Sequence, residues 1–227
     1  MSDRILIADD EAFSRRMVAD MLRDDWPGGV VSVESSAEAL IELTGPTASG
    51  IRMLISDFNM PGLNGLQLLK AIRMGVEGLR RDLPVILLTG HADRALIGLA
   101  LALDVDAFLA KPVAKAILRD KVARILAAPR TIRPVEAYAQ IVPRDDMLAH
   151  WREAAPHQPP PTQDAVPGVM VPLADVSEDA ILAAAIRFSD GTEVVPAGRK
   201  LNRALLDRLG DLKAMGFPVD PIRIQMP

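Results

Sequence analysis

Residues 1–128 are predicted to form an α/β domain, in which helices cover both faces of a five-stranded, doubly wound parallel sheet. Short apolar runs alternate here with segments of helical periodicity. Several of these runs are apolar throughout, as strands buried on both faces tend to be. Polar residues follow most of the runs. The chain of 227 residues then leaves room for a second, smaller module.

The five strands of this sheet are predicted from apolar runs of three or four residues. In chain order they are Ile5–Ala8, Val30–Val33, Met53–Ile55, Val85–Leu88 and Ala107–Leu109. Their shortness and their regular spacing are typical of strands joined by helical crossovers.

Five helices are predicted to alternate with these strands. Phe13, Met17 and Met21 recur every four residues, which predicts that they form the apolar stripe of a first amphipathic helix. Leu66, Leu69 and Ile72 recur every three residues and predict another. A fourth helix is expected near residues 93–103 and a fifth near residues 113–126.

Polar residues at the strand ends predict a functional site. Asp9 and Asp10 end the first strand, Asp57 the third and Thr89 the fourth, while Lys111 follows the fifth. The carboxyl ends of parallel strands share one edge, so these side chains should converge. Crowded carboxylates favour a hard divalent cation such as Mg²⁺, and a lysine with a hydroxyl suits an anionic phosphoryl group. The pattern predicts an aspartate that becomes phosphorylated.

Four motifs in this order resemble the receiver domain of two-component response regulators. They are Ile7–Glu11, Ser56–Gly65, Leu88–Ala92 and Phe108–Pro112, and each lies at the expected strand end. The resemblance covers somewhat more than half of the chain and implies a flavodoxin-like receiver fold.

The resemblance assigns a phosphoacceptor and a metal site. It implies that Asp57 accepts a phosphoryl group from a histidine of a kinase or phosphotransfer protein. It also implies that Asp10, Asp57 and the backbone carbonyl of Asn59 bind Mg²⁺, while Asp9 acts mainly through water. The protein would then be a switch rather than an enzyme, because its only reactions are self-phosphorylation and self-dephosphorylation at Asp57.

The resemblance also assigns a switch. Lys111 is expected to contact one phosphoryl oxygen, and Thr89 is expected to move towards another while Phe108 changes its rotamer. The face with the fourth helix and the fifth strand is one through which this family often dimerises. His91, two residues beyond Thr89, matches a position that tunes dephosphorylation, although an exposed loop residue is the simpler interpretation.

Each of these residues also has a purely structural interpretation. Asp9 and Asp10 could cap the first helix, and Asp57 could be a turn residue before Met60-Pro61-Gly62. Lys111-Pro112 could simply start the fifth helix, and Phe108 could be an ordinary core residue. Their predicted convergence at one edge favours the functional interpretation.

A proline-rich linker is predicted at residues 129–171. Nine of the 18 prolines lie between Pro129 and Pro172, and Pro159-Pro160-Pro161 favours an extended backbone. A short helix is possible at residues 144–155, either packed on the protein itself or docked on a partner.

Residues 172–227 are predicted to form a small α+β module. A strand at 181–188, a turn at 189–192 and a strand at 193–195 suggest a hairpin. A helix at 199–215 and a last strand at 222–224, pairing with the hairpin, should follow. The segment resembles a small module found beside response-regulator and HD-type phosphodiesterase domains. It carries no residue that suggests catalysis, so a protein-binding output is expected.

Composition excludes several classes of function. With 26 basic and 30 acidic residues, the net charge is −4 and no basic block exists, which disfavours nucleic acid as a partner. The longest apolar run, Ala95–Leu103, is too short to span a membrane. The chain has no cysteine, which suggests a cytoplasmic location. Two alternatives stay open for the output: a DNA-binding regulator with an unrecognised motif, and a regulatory subunit of a cyclic-dinucleotide enzyme.

Overall fold

The structure, a computed structural model, consists of two compact units. It describes residues 3–90, 94–139, 141, 167–188 and 193–225, with only the backbone for 94–96. The first unit holds the described residues up to 90 together with 103–141. The second unit holds residues 94–102 and the described residues from 167 onwards.

The first unit contains the predicted five-stranded sheet, and all of its neighbouring strands are parallel. Its order is β2-β1-β3-β4-β5, which is that of a doubly wound sheet. The strands are β1 Arg4–Ala8, β2 Val30–Val33, β3 Ile51–Asp57, β4 Val85–Thr89 and β5 Ala107–Ala110. The predicted fold class is therefore confirmed.

Six helices follow in chain order up to residue 139. They are α1 Ala12–Arg23, α2 Ser36–Thr44, α3 Gly65–Met74, α4 Arg94–Ala102, α5 Lys115–Ala127 and α6 Val135–Ala139. All except α4 belong to the first unit.

The start of α3 is fixed close to the end of β3. Asn64 and Gln67 form a capping box, in which each side chain accepts a hydrogen bond from the other's backbone N–H. A Cβ at Gly65 would lie 2.3 Å from the carbonyl oxygen of Asp57, so only glycine fits this approach. This packing holds the loop after Asp57 against the sheet.

The buried stripe of α1 differs from the predicted one. Phe13 is 73% exposed and Met17 and Met21 are half-buried, whereas Ser14, Val18 and Leu22 face the core. The stripe is thus shifted by one residue. The hydroxyl of Ser14 is tolerated on the buried face because it donates to Asp9 Oδ2. Leu66, Leu69 and Ile72 on α3 are fully buried, as predicted.

The first unit extends past the predicted boundary at residue 128. In the segment predicted to be linker, α6 packs against α3 and Tyr138 is fully buried. The Tyr138 hydroxyl donates to Asp104 Oδ2 at 2.8 Å, and Arg133 Nε donates to the same oxygen at 2.8 Å. Residues 129–139 are thus held against α3 and the loop before β5 by a buried aromatic ring whose hydroxyl is hydrogen-bonded.

The second unit contains two small antiparallel sheets, one pairing β6 with β9 and the other β7 with β8. Its strands and its other helix are β6 Gly168–Val171, β7 Ile186–Arg187, β8 Glu193–Val195, α7 Arg203–Ala214 and β9 Ile222–Gln225. Within this unit, α4 packs against β8.

Three details of the predicted module were wrong. The last strand pairs mainly with β6, which lies in the predicted linker, rather than with the hairpin. The strand expected at 181–188 is reduced to β7 and two isolated bridges, because bends interrupt it at 183–184. The helix starts at Arg203 because Asn202 caps it, accepting from the N–H of Leu205 at 2.9 Å.

Three other predictions fall outside the described residues: the helix at 144–155, the turn at 189–192 and the role of His91. Among the residues that are described, no helix has both the length and the apolar character needed to cross a bilayer.

Candidate functional site

Three carboxylates meet at the carboxyl edge of the sheet, as the sequence predicts. Asp9 and Asp10 follow β1 directly, and Asp57 is the last residue of β3. The two strands are neighbours in register, with Ala8 opposite Ser56. One oxygen of each carboxylate lies within 4.8 Å of the others. Asp9 is fully buried, Asp57 is 7% exposed and Asp10 is open to solvent.

Asp9 is held by three hydrogen-bond donors. Its Oδ1 accepts from the backbone N–H of Glu11 at 2.9 Å. Its Oδ2 accepts from the hydroxyl of Ser14 at 2.7 Å and from Lys111 Nζ at 2.9 Å. A fully buried carboxylate needs such donors because it has no water to solvate it.

Lys111 joins two of the three carboxylates. Its Nζ lies 2.9 Å from Asp9 Oδ2 and 3.1 Å from Asp57 Oδ2. Its backbone N–H donates to the carbonyl oxygen of Thr89 at 2.8 Å, so the end of β4 positions it. Lys111 is therefore placed to contact an anion attached to Asp57.

The charges at this edge are unbalanced. Burial and the negative charge of Asp9 raise the pKa of Asp57, and the hydrogen bonds and charge of Lys111 and the N–H of Phe58 do not fully offset them. Burial would lower the pKa of Lys111, but its hydrogen bonds and attraction to Asp9 and Asp57 outweigh burial and raise it. Three carboxylates and one ammonium leave excess negative charge.

This donor set fits a divalent cation. Carboxylate oxygens from Asp9, Asp10 and Asp57 are hard ligands close enough together to hold one metal ion. A cation would also relieve the repulsion between Asp9 and Asp57. Asn59 lies two residues beyond Asp57, outside any helix or strand, and is exposed between the buried residues Phe58 and Met60.

Thr89 and Phe108 occupy neighbouring strands on one face of the sheet. The register places Leu87 opposite Phe108 and Thr89 opposite Ala110. Side chains alternate along a strand, so Thr89 and Phe108 are diagonal neighbours on the face opposite the core that contains Leu88 and Leu109. Both are buried.

Ser14 is the site residue that the sequence did not predict. The periodicity of Phe13, Met17 and Met21 indicated a different buried face and placed Ser14 outside it. A signal did exist, because Ser14, Val18 and Leu22 also recur every four residues.

Fold and site together define the class of signalling domains that carry an acidic cluster at the carboxyl edge of a doubly wound sheet. The family described as the response regulator receiver domain matches residues 5–123. The chain belongs to this family. The resemblance of residues 172–227 to a module beside phosphodiesterase domains stays a prediction.

Two curated relatives each match about half of the chain. A chemotaxis protein CheY-3 of Vibrio cholerae is 34% identical over 122 residues, which are 54% of this chain and 90% of the relative. A chemotaxis protein CheY homolog of Campylobacter jejuni is 31% identical over 123 residues, 54% of this chain and 92% of the relative.

A solved structure shares the fold. It is a CheY-like response regulator receiver domain protein from Methanospirillum hungatei, with a TM-score of 0.50 and 23% identity. The match covers 56% of this chain and 94% of that chain.

Proposed function

We propose that this protein is a phosphoryl-accepting regulator of a two-component system, and that Asp57 is its phosphoacceptor. A histidine kinase or a histidine phosphotransfer protein would supply the phosphoryl group. The observation that carries the proposal is the position of the Asp57 carboxylate, with Lys111 Nζ at 3.1 Å and two further carboxylates within 4.8 Å.

In the transfer, an Asp57 carboxylate oxygen attacks the phosphorus of the donor phosphohistidine. The new oxygen–phosphorus bond forms while the phosphorus–nitrogen bond of the donor breaks, and the imidazole leaves with its electron pair. Asp57 Oδ1 accepts from the N–H of Phe58 at 2.8 Å, which fixes the orientation of the carboxylate for this attack. Water later attacks the same phosphorus, the bond to the Asp57 oxygen breaks, and inorganic phosphate leaves while Asp57 returns to its free carboxylate.

Mg²⁺ is the cofactor of this proposal. Asp10, Asp57 and the carbonyl oxygen of Asn59 would hold it directly, and Asp9 would hold it mainly through water. When bound, it supplies positive charge to the phosphoryl oxygens. Lys111 adds a second positive charge, because its ammonium already faces Asp57 and can donate to a phosphoryl oxygen.

Thr89 and Phe108 would convert phosphorylation into a change of shape. A phosphoryl group on Asp57 offers new acceptors at the end of β3, next to Thr89 at the end of the neighbouring strand β4. Movement of the Thr89 side chain towards it would free space on the face that Phe108 shares. Two packings of one buried ring provide a bistable element, and the phosphoryl group shifts their populations.

The output would pass to a protein partner through residues 172–227, a non-enzymatic module. Within the second unit, α4 packs against β8, and α4 follows β4 in the chain. A conformational change at Thr89 can therefore be transmitted along a short stretch of chain to a helix of that unit. Self-association of the protein is the other route, and the cytoplasm is the proposed location.

Phosphorylation by acetyl phosphate tests the proposal. With Mg²⁺, the intact mass of the wild-type protein should rise by one phosphoryl group, and Asp57→Asn should show no increase. Thr89→Ala should still be phosphorylated but should lose most of the change in hydrogen exchange that phosphorylation causes in α4.

A chelator in place of Mg²⁺ is the control and should prevent phosphorylation of the wild type. An unchanged stoichiometry in Asp57→Asn would place the acceptor elsewhere. Equal exchange in α4 with and without the phosphoryl group, with no change of mass in light scattering, would exclude this output route.

A further inference from the structure

Ser14 contributes a buried hydroxyl to the acidic site. Its Oγ donates to Asp9 Oδ2 at 2.7 Å, and the same oxygen accepts from Lys111 Nζ at 2.9 Å. The other oxygen of Asp9 accepts from the N–H of Glu11. Oδ2 therefore has two side-chain donors, one of which belongs to the residue that is expected to contact the phosphoryl group.

The backbone around Ser14 holds its hydroxyl in this direction. Ser14 lies in the first turn of α1, where the N–H of Arg15 donates to the carbonyl oxygen of Glu11 at 2.9 Å. The guanidinium of Arg15 donates to the carbonyl oxygen of Asp9 at 2.5 Å, and the N–H of Asp9 donates to Val33 at 3.2 Å. Helix and carboxylate are therefore fixed relative to one another.

We propose that Ser14 is a positioning residue for phosphoryl transfer, which keeps the Asp9 carboxylate hydrogen-bonded and in place when Lys111 turns to the phosphoryl group. This inference depends on the proposed function, because it assumes a phosphoryl group on Asp57.

The reason lies in the number of donors around Asp9. Lys111 is now shared between Asp9 and Asp57, and a phosphoryl group on Asp57 draws its ammonium away from Asp9. With Ser14 present, each oxygen of the buried Asp9 carboxylate keeps one protein donor. Without Ser14, Oδ2 has no other protein hydrogen bond among those described, so moving Lys111 leaves a buried charged oxygen unsatisfied.

Beryllofluoride, a phosphoryl mimic, tests this inference by isothermal titration calorimetry in saturating Mg²⁺. Ser14→Ala is expected to bind it roughly tenfold more weakly than wild type, the size of one hydrogen bond to a charged group. Ser14→Thr keeps the hydroxyl and should bind within about twofold of wild type. If Ser14→Ala does not fold, Ser14→Cys keeps the volume with a weaker donor and should bind about threefold more weakly.

Ser36→Ala is the matched control. Ser36 is also a buried serine at the start of a helix, but its hydroxyl has no partner among the described residues. The Ser36→Ala variant should bind beryllofluoride with the affinity of wild type. A purely structural Ser14 would lower the melting temperature of its alanine variant and leave the affinity unchanged.

The inference is overturned if Ser14→Ala binds beryllofluoride as tightly as Ser36→Ala does. If only Ser14→Cys folds, equal affinity in that variant overturns it. A loss of affinity that Ser14→Thr does not restore also overturns it. If wild type neither binds beryllofluoride nor accepts a phosphoryl group, the proposed function itself fails. The two failures are therefore distinguishable.

Discussion

The two edges of the central sheet both bury aspartates, but they treat these charges in opposite ways. At the amino edge, two aspartates that lie just before β5 in the chain form ion pairs with three arginines. The aspartates are Asp104 and Asp106, and the arginines are Arg73, Arg130 and Arg133. At the carboxyl edge, three carboxylates lie close together and Lys111 contacts two of them.

Arg73 shows how complete the pairing at the amino edge is. Its side chain is fully buried, and its five N–H groups have five acceptors. These are Asp106 Oδ2 and the carbonyl oxygens of Arg81, Leu83, Leu103 and Asp104, at 2.8–3.2 Å. A buried guanidinium with every donor satisfied stabilises one fixed arrangement of the segments around it.

The comparison separates a structural from a functional use of buried charge. At the amino edge each aspartate has at least one arginine partner, so its residues act on stability. Excess negative charge at the carboxyl edge makes the native state less stable than it could be, and this cost is relieved by a cation or by a proton. Substitutions at the two edges should therefore have effects of opposite sign.

The largest effect is expected from Arg73→Leu. The change removes five hydrogen bonds. Four carbonyl oxygens and Asp106 Oδ2 each lose a donor, although Oδ2 keeps the N–H of Val85. The loss should lower the free energy of unfolding by about 3–5 kcal/mol. Urea denaturation in the presence of a chelator measures it.

Arg80→Leu is the control for this prediction, because the Arg80 side chain forms only one contact with the described residues, an exposed ion pair with Asp82 at 3.2 Å. Its effect should stay within about 0.5 kcal/mol. A loss below about 1 kcal/mol in Arg73→Leu would show that the amino edge does not depend on this network.

Magnesium should have the next largest effect, and at the carboxyl edge only. At about ten times its dissociation constant, Mg²⁺ should stabilise the wild type by about 1.4 kcal/mol, because it binds the native state alone. Asp10→Ala should lose this shift, and without Mg²⁺ it should be at least as stable as wild type because one like charge is gone.

Thermal melting over a Mg²⁺ series measures both effects, with Asp82→Ala as the control that keeps the shift. A wild type that does not respond to Mg²⁺ would mean that Asp9 and Asp10 have a structural role.

The sequence predicted the carboxyl edge much better than the amino edge. Asp9, Asp57 and Lys111 are polar residues directly at the ends of apolar strands, so the parallel sheet alone brings them together. Arg73 lies on an amphipathic helix, where a basic residue is normally exposed. Its burial depends on carbonyl oxygens from segments far along the chain, which no local pattern indicates.

The same reason explains two further differences. Ser14 belongs to a stripe with Val18 and Leu22, but the larger Phe13 and Met17 gave the stronger apolar periodicity. The strand β6 lies beside a proline-rich stretch, and its pairing with β9 joins residues more than 50 positions apart. Local sequence patterns do not specify such distant pairs, whereas strand order in a doubly wound sheet follows from connectivity rules.

The smallest effect, and the one that depends most directly on charge balance, is expected from Asp57→Asn. The pKa of Asp57 is raised in the native state above its ordinary value of 3.8 by burial and by Asp9. The native protein therefore binds more protons than the unfolded chain in the pH range just above 3.8, and its stability falls as the pH rises through the raised pKa.

Asparagine resembles the protonated carboxyl and does not titrate. Below this range the two proteins should be nearly equally stable, and towards pH 7 the variant should become more stable by less than about 1 kcal/mol, because it also gives up the ion pair with Lys111. Urea denaturation of both proteins from pH 3 to pH 7.5 in a chelator measures the gap, and Mg²⁺ should close or reverse it at pH 7. A gap that is constant with pH, or a wild type that gains stability over the variant towards neutral pH without Mg²⁺, would mean that Lys111 alone balances the charges at the carboxyl edge.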